Sequence, residues 1–373
     1  MNIHEWLSNK DEQWCKFLNI KQLYDEAFSN KFLKNIPMFD LDAFNKNPKH
    51  HFVYDKLFVS QSQDINSGSL NELSISNDFT YPIFIKPRWG HVTSSSKNCY
   101  KINNLNELIP HLSKPHMMWS EFINANEGMT DYVLDNGKII YQLTYEYSPT
   151  QNVFADDWKY IDPKNKPPEK INQWVIKHLP DYTGMVNLQY RDDIIIEVSL
   201  RMARRGTYIK STENKHLIDN INSLIAHPYR YTWNISPEKN TDFTPFYSFK
   251  CWSPYTIFYI LPNKVMEFII QKTGGKSFYE YYFEPTGNKG TVFFQFQHED
   301  FKHGLKVKYF IERLMLSCQL FFIVFLFISI YLITDKTGYG YGYILLFIII
   351  ILYSTTFLNS YHHYSKILPI KKY

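Results

Sequence analysis

The sequence predicts an α+β fold of antiparallel sheets with helices, followed by two transmembrane helices. Three observations carry this expectation. Short β-branched runs bounded by turn residues fill the middle of the chain, stretches with helical spacing of apolar residues lie between and after them, and long uncharged apolar runs stand near the C-terminus.

The strands come first in the argument. Ile83 to Lys86, Asp131 to Leu134, Lys138 to Thr144 and Asp193 to Leu200 are short runs rich in β-branched and aromatic residues. Asp135-Asn136-Gly137 between two of them is the sequence of a tight hairpin turn. Ile171 to Leu179 and Lys215 to Ala226 have helical periodicity. Thr241 to Phe301 is strand-like around a helix expected at Asn263 to Gln271, and Gln61 to Asn77, rich in Ser and Asn, is expected to be loop. The expected organisation is a helical N-terminal region over residues 1–80 and a core over 81–235. A strand-rich part of the head over 236–313, a membrane hairpin over 314–359 and a basic tail over 360–373 complete it.

Leu314 to Thr334 holds no charged residue, and about 20 residues at ~1.5 Å each span a bilayer core of ~30 Å. A second apolar run, Tyr343 to Leu358, follows the Gly-rich turn Asp335 to Gly342. Lys302, Lys306, Lys308 and Arg313 precede the first run, and Lys366, Lys371 and Lys372 follow the second. The positive-inside rule therefore places the soluble head and both termini on the cytosolic side of a two-span protein. Met1 to Trp14 is polar and charged, unlike a signal peptide.

Composition narrows the function classes. Forty Lys+Arg against 36 Asp+Glu give a formal charge of +4 without a basic block, which argues against nucleic acid as partner. Four cysteines stand far apart with no metal-ligand spacing, so neither a disulfide framework nor a zinc site is expected.

Chemistry concentrates in three segments. In Asn187 to Arg191 and Ile196 to Arg201, alternation puts Asn187, Gln189 and Arg191 on one strand face and Glu197, Ser199 and Arg201 on another. The two polar sets share a face if an odd-length connection pairs Arg191 with Ile195; a two-residue Asp192-Asp193 turn would separate them. A carboxylate, an amide oxygen and a hydroxyl together suit Mg²⁺, and a nearby arginine suits phosphate; a solvated polar face is the plainer alternative. The second segment is a strand ending in Lys86 that runs into Gly90 and Ser94-Ser95-Ser96. Either it is a phosphate-cradling loop or an exposed turn, and it lacks the spacing of a P-loop. The third is Met118 to Ile123 with Glu127 and Asp131 beyond it, an adenine-reading strand with a ribose carboxylate, or plain strand and loop.

In chain order, from about Phe52 to Lys210, these segments resemble the ATP-grasp superfamily, and within it the large subunit of carbamoyl-phosphate synthetase. Val186-Asn187-Leu188-Gln189 and Ile196-Glu197-Val198-Ser199-Leu200-Arg201 are similar to that family's M-N-x-Q and I-E-V-N-P-R. The resemblance implies metal ligands at Gln189, Glu197 and Ser199, with ATP and Mg²⁺ as cofactors. It implies catalytic Lys86 and Arg201 on the phosphates, and nucleotide contacts at Ser94, Ser95, Glu121, Phe122, Ile123 and Glu127. Asp55-Lys56 echoes the dipeptide that opens many such domains. Ser199 and Leu200 replace the family's Asn and Pro, serines replace the glycines of the lid, and the N-terminal part is shorter than usual. The implied activity joins a small-molecule or peptide carboxylate to an amine through an acyl phosphate, on a membrane. The alternatives are an ATP-binding, membrane-anchored scaffold with weak or no catalysis, and a structural membrane protein with a partner-binding head. His91, His178, His298, His362 and His363 have no identifiable catalytic partner in the sequence, and Arg204-Arg205 reads equally as an anion site or as solvated charge.

Overall fold

A computed structural model of the chain describes residues 36–37, 39–73, 80–92, 98–149, 157–227, 241–253, 263–277, 291–334 and 340–351. Residues 1–35 of the expected helical N-terminal region, Ser94-Ser95, the Asp335 to Tyr339 part of the turn and the tail lie outside the described residues. The chain divides into two compact units, Asn30–Pro245 and a second made of Met1–Ser29 with Phe246–Tyr373.

The first unit opens with helix α1 (Asp40–Lys46), a 3-10 segment (Pro48–Tyr54) and helix α2 (Lys56–Gln61). Its small sheet has strand order β1-β4-β2-β3, with β1 Ser67–Ser69, β2 Ile83–Pro87, β3 Tyr100–Ile102 and β4 Met117–Glu121, all antiparallel. The segment read as loop from Gln61 to Asn77 thus contains an edge strand: Ser67 to Ser69 pairs with Ser120 to Met118. Serine and glycine carry no strand signal of their own, and the partner strand supplies the pairing. Ile83, Ile85, Ile102, Leu108, Met117 and Trp119 form a core on one face of this sheet.

The larger sheet runs β7-β6-β5-β8-β9, with β5 Glu127–Asp135, β6 Lys138–Tyr147, β7 Trp158–Ile161, β8 Gly184–Arg191 and β9 Ile194–Ser199. Every pair is antiparallel. One face is apolar: Tyr132, Leu134, Val186, Leu188, Tyr190, Ile195 and Val198 pack with Ile171, Trp174, Val175 and Leu179 of helix α3 (Glu169–His178). Glu127, Met129, Asp131, Asn187, Gln189, Arg191, Glu197 and Ser199 alternate with those residues and share the reverse face. Helix α4 (Thr207–Ser211) and helix α5 (Lys215–Ala226) follow β9.

The hairpin between β5 and β6 follows the sequence expectation. Asp135 pairs with Lys138 across a two-residue turn in which Asn136 and Gly137 have φ of 46° and 76°. Both values belong to the left-handed region that this turn needs. A Cβ on Gly137 would stand 2.6 Å from the Pro180 carbonyl carbon. Gly137→Ala is therefore expected to destabilise the unit by about 2 kcal/mol and lower its melting temperature by ~5 °C; an unchanged melt would show that the turn and Pro180 separate freely.

In the second unit, β10 (Phe246–Ser253) and β11 (Lys276–Ser277) flank β12 (Thr291–His298), with helix α6 (Asn263–Lys272) before β11. Helix α7 runs unbroken over Phe301–Thr334, so Lys302, Lys306, Lys308 and Arg313, expected to precede the first span, occupy the same helix. Glu312 joins the helix to β10: its Oε1 accepts from Trp252 N at 2.9 Å and from Lys308 Nζ at 2.6 Å. Among the described residues α7 alone is long and apolar enough to cross a membrane, with a mean hydropathy of 2.5 in its most apolar window. The second apolar run enters a shorter helix α8 (Gly340–Ile351), and residues 352–358 lie outside the described residues. Gly342 lets α8 approach α7, since a Cβ there would meet Ile333 Cγ1 at 2.7 Å.

Candidate active site

The site is built where β9 bends. Arg191 pairs with Ile194, so the connection is the two-residue Asp192-Asp193 turn, with Asp192 at φ 48°. By itself that turn would place Gln189 and Glu197 on opposite faces. A register shift between Gln189 and Tyr190 corrects it: Tyr190 faces Ile195, Gln189 faces Glu197 and Asn187 faces Ser199, which leaves Ile196 as the extra residue of a β-bulge. The expected pairing is present, and the expected odd-length connection is not. Ile196 thereby falls out of step with Val198 and Leu200, because a bulged residue breaks the two-residue period.

Two side chains hold the bulge. Gln63, on the free edge of β9, accepts from Ile195 N at 2.7 Å and donates to Ile195 O at 3.0 Å. Lys86 reaches across from β2 and donates from Nζ to Ile196 O at 2.9 Å. Lys86 is only 7% exposed. Burial, with the Lys56 charge adding to it and Glu197 opposing, lowers its pKa to about 8. Lys56 Nζ lies 3.3 Å from Glu197 Oε1, and a Cβ on Gly90 would touch both side chains at 3.5 Å. Asp55 fixes this corner: it caps α2 through Leu57 N at 3.1 Å and takes Arg88 on both oxygens at 2.8 and 2.6 Å. The Asp55-Lys56 dipeptide is thus divided between anchoring and the site. Cys99, drawn into the same electrostatic cluster, has its thiol pKa raised by burial.

Other expected residues sit elsewhere. Arg201 donates to Met202 O at 2.9 Å and pairs with Asp40 of α1 at 2.5 Å. Ser199 is buried in a row with Asn187 and Asp131. Asp131, which carried no role beyond its place after the third motif, proves central to that row. Its Oδ1 accepts from Asn187 Nδ2 at 2.9 Å and Ala203 N at 2.7 Å, and its Oδ2 from Tyr145 at 2.6 Å. Burial pushes its pKa up to about 6 against those hydrogen bonds. This network pins the chain that leaves β9 after Arg201. Only the three-dimensional register reveals it, since its members stand 14, 56 and 72 positions from Asp131. Glu121 is exposed at the end of β4, and Phe122, Ile123 and Glu127 lie together near the far end of β8 around Arg191. His91 stacks on Phe44 at 3.6 Å, with His51 on the other face at 3.5 Å, and burial lowers its pKa. His178 packs on Trp174 and Phe58, and His298 accepts from Asp300 N, which are structural roles.

Among the described residues no three His, Cys, Asp or Glu side chains cluster as a metal site. The oxygens that do stand together, one Glu197 carboxylate and the opposed Gln189 amide, form too thin a set to hold a cation alone. They fit Mg²⁺ that arrives on phosphates, because that ion takes one or two protein oxygens and fills its shell with phosphate and water.

No family model and no curated protein matches the chain. Among solved structures it is similar to a carboxyaminoimidazole ribonucleotide synthase from Aspergillus clavatus complexed with ATP. That likeness has TM-score 0.48 and 9% identity, over 74% of this chain and 80% of that one. An N5-carboxyaminoimidazole synthetase from Staphylococcus aureus complexed with ADP gives 0.48 and 14%, over 69% and 71%. An L-amino acid ligase from Bacillus licheniformis gives 0.47 and 12%, over 84% and 83%. Likeness at this level names no family for the chain, and the chemistry rests on its own residues.

Lys86 supplies a pH test. Its folded pKa lies below the unfolded value near 10.5, so between about pH 8 and 10.5 the unfolded chain keeps a proton that the folded chain has released. Stability then rises with pH in that window, and the burial cost is present in full below it. Relative to Lys86→Met, the wild-type chain is expected to gain about 1–3 kcal/mol between pH 8 and 10.5 in urea melts. A constant difference would show that the ammonium is solvated.

Proposed function

We propose that the Asn30–Pro245 unit binds Mg-ATP in the manner of an ATP-grasp domain and acts as a carboxylate–amine ligase. The observation that carries this is the buried Lys86 ammonium seated on the Ile196 bulge carbonyl, with Lys56, Glu197 and Gln189 around it. Two ammonium groups against one carboxylate leave net positive charge in a largely dehydrated corner, which an anion relieves. Lys86 and Lys56 would take phosphate oxygens, and Glu197 and Gln189 the magnesium. Bound Mg²⁺ neutralises triphosphate charge. In the proposed reaction a substrate carboxylate, small-molecule or peptide, attacks the γ-phosphorus and ADP departs. The amine then displaces phosphate from the acyl phosphate and loses a proton. The chain's part is alignment and charge neutralisation.

The second reading, an ATP-binding scaffold without turnover, draws support from Arg201, which is committed to Asp40, and from buried Ser199. Calorimetry on the full chain in detergent tests both. Saturable Mg-ATP binding is expected, weakened at least 100-fold in Glu197→Ala and in Lys86→Ala. Unchanged affinity in well-folded variants would remove the nucleotide site from this corner. Phosphate release that requires both a carboxylate and an amine distinguishes the ligase from the scaffold.

We further propose that α7 and α8 anchor the protein in a membrane with the head and both termini cytosolic. Leu320, Phe321, Val324, Phe325, Phe327, Ile328 and Tyr331 are exposed along α7 over more than one face, which water disfavours and lipid accepts. The expressed full chain should stay with membranes through alkaline carbonate washing, and tags at both ends should be accessible from the cytosol. Release into the wash would exclude a span.

A further inference from the structure

The same strand that carries Gln189 ends in Arg191, and neither the motif reading nor the magnesium chemistry gives that arginine a task. Its surroundings are specific. Nη1 donates to Ile123 O at 2.9 Å, and Nη2 lies 3.5 Å from Glu127 Oε2. The guanidinium stands 5.9 Å from the Phe122 ring centroid, with Lys101 Nζ at 4.3 Å from the same ring. Arg191 and Glu127 are direct partners across β8 and β5, and the adjoining Asp192 N donates to Asn126 O at 2.9 Å. The single connection between β4 of the small sheet and β5 of the large one, residues 122–126, is thereby tied to the end of β8. A lysine would reproduce this only in part, because its donors share one nitrogen, whereas the planar guanidinium reaches the carbonyl from Nη1 and the carboxylate from Nη2.

We infer that Arg191 is a positioning residue for the nucleoside end of the site, orienting the Phe122–Ile123 backbone for the base and Glu127 for the ribose hydroxyls. This rests on the nucleotide-binding reading above. Arg191 takes one oxygen of Glu127 and so turns the carboxylate, and its hold on Ile123 O fixes the plane of the adjoining peptide. One strand then sets both ends of the nucleotide: Gln189 towards the phosphates and Arg191, two residues on, towards the nucleoside.

The test compares Mg-ATP with Mg-2′,3′-dideoxy-ATP, which lacks both ribose hydroxyls, on the full chain in detergent by calorimetry. Wild type is expected to prefer ATP by about 10- to 100-fold, the range of a charge-assisted hydrogen bond. Arg191→Met should lose most of that preference, with ATP affinity falling about tenfold and dideoxy-ATP affinity changing less than threefold. Arg191→Lys should recover part of it, and Arg191→Met should add little to Glu127→Gln. An Arg191→Met chain that weakens both nucleotides equally and keeps the wild-type ratio would overturn the inference, leaving Arg191 a structural tie. A wild-type chain that binds Mg-ATP without preferring it to the dideoxy nucleotide would overturn it as well, with nucleotide binding intact. No Mg-ATP binding by the wild-type chain would overturn both readings together.

Discussion

A buried ammonium on a main-chain carbonyl, Lys86 on Ile196, is the constraint on which the site's geometry depends. The carbonyl is available because Ile196 is the residue that a bulge leaves out of the ladder. The bulge is in turn what lets a two-residue turn coexist with Glu197 facing Gln189. Without it the carboxylate would point into the apolar face beside Tyr190 and Leu188, where its charge would be unpaired. The edge position of β9 makes the irregularity tolerable, and Gln63 supplies a pair of hydrogen bonds in place of a neighbouring strand. The bond thus links the two sheets of this unit at the point where their polar faces meet.

Charge is distributed unevenly around that bond. Arg88 is neutralised by Asp55, Arg201 by Asp40 and Arg191 by Glu127, each in close contact. Lys56 and Lys86 instead share Glu197. The arginines hold architecture through fixed, forked contacts, while the lysines keep donors able to turn towards an incoming anion. Asp131 follows the first pattern with the opposite sign: it is a buried acid satisfied by an amide, a phenol and a main-chain N–H, which fixes the exit of β9.

Much of the fold was legible. The Asn136-Gly137 turn, the strands around Ile83 to Lys86, Asp131 to Leu134 and Lys138 to Thr144, and helices α3, α5 and α6 follow local pattern, because turn chemistry and periodicity act over a few residues; the start of β5 at Glu127 was not read. The face shared by Gln189 and Glu197 was legible only as a condition on the connection. The bulge that meets it has no local signature, since Ile194-Ile195-Ile196 reads as plain strand. Strand β1 was missed for the related reason that an edge strand of Ser and Gly exists through its partner. Arg191, Gln63 and Asp131 as organisers depend on residues 68, 132 and 72 positions away and carry no sequence signal.

The sequence by itself determined the residue types at the site, their order, the strand that presents them and the apolar run of α7, all properties of segments shorter than one element. Tertiary structure alone decided which of them meet. It brought Lys86 to the bulge, Lys56 to Glu197 and Arg191 to Ile123, and it turned Arg201 to Asp40. The physical reason is that a side chain's chemistry is local, whereas its partner is selected by register and by how one sheet packs on another, and a single extra residue in β9 reverses which face a charge occupies.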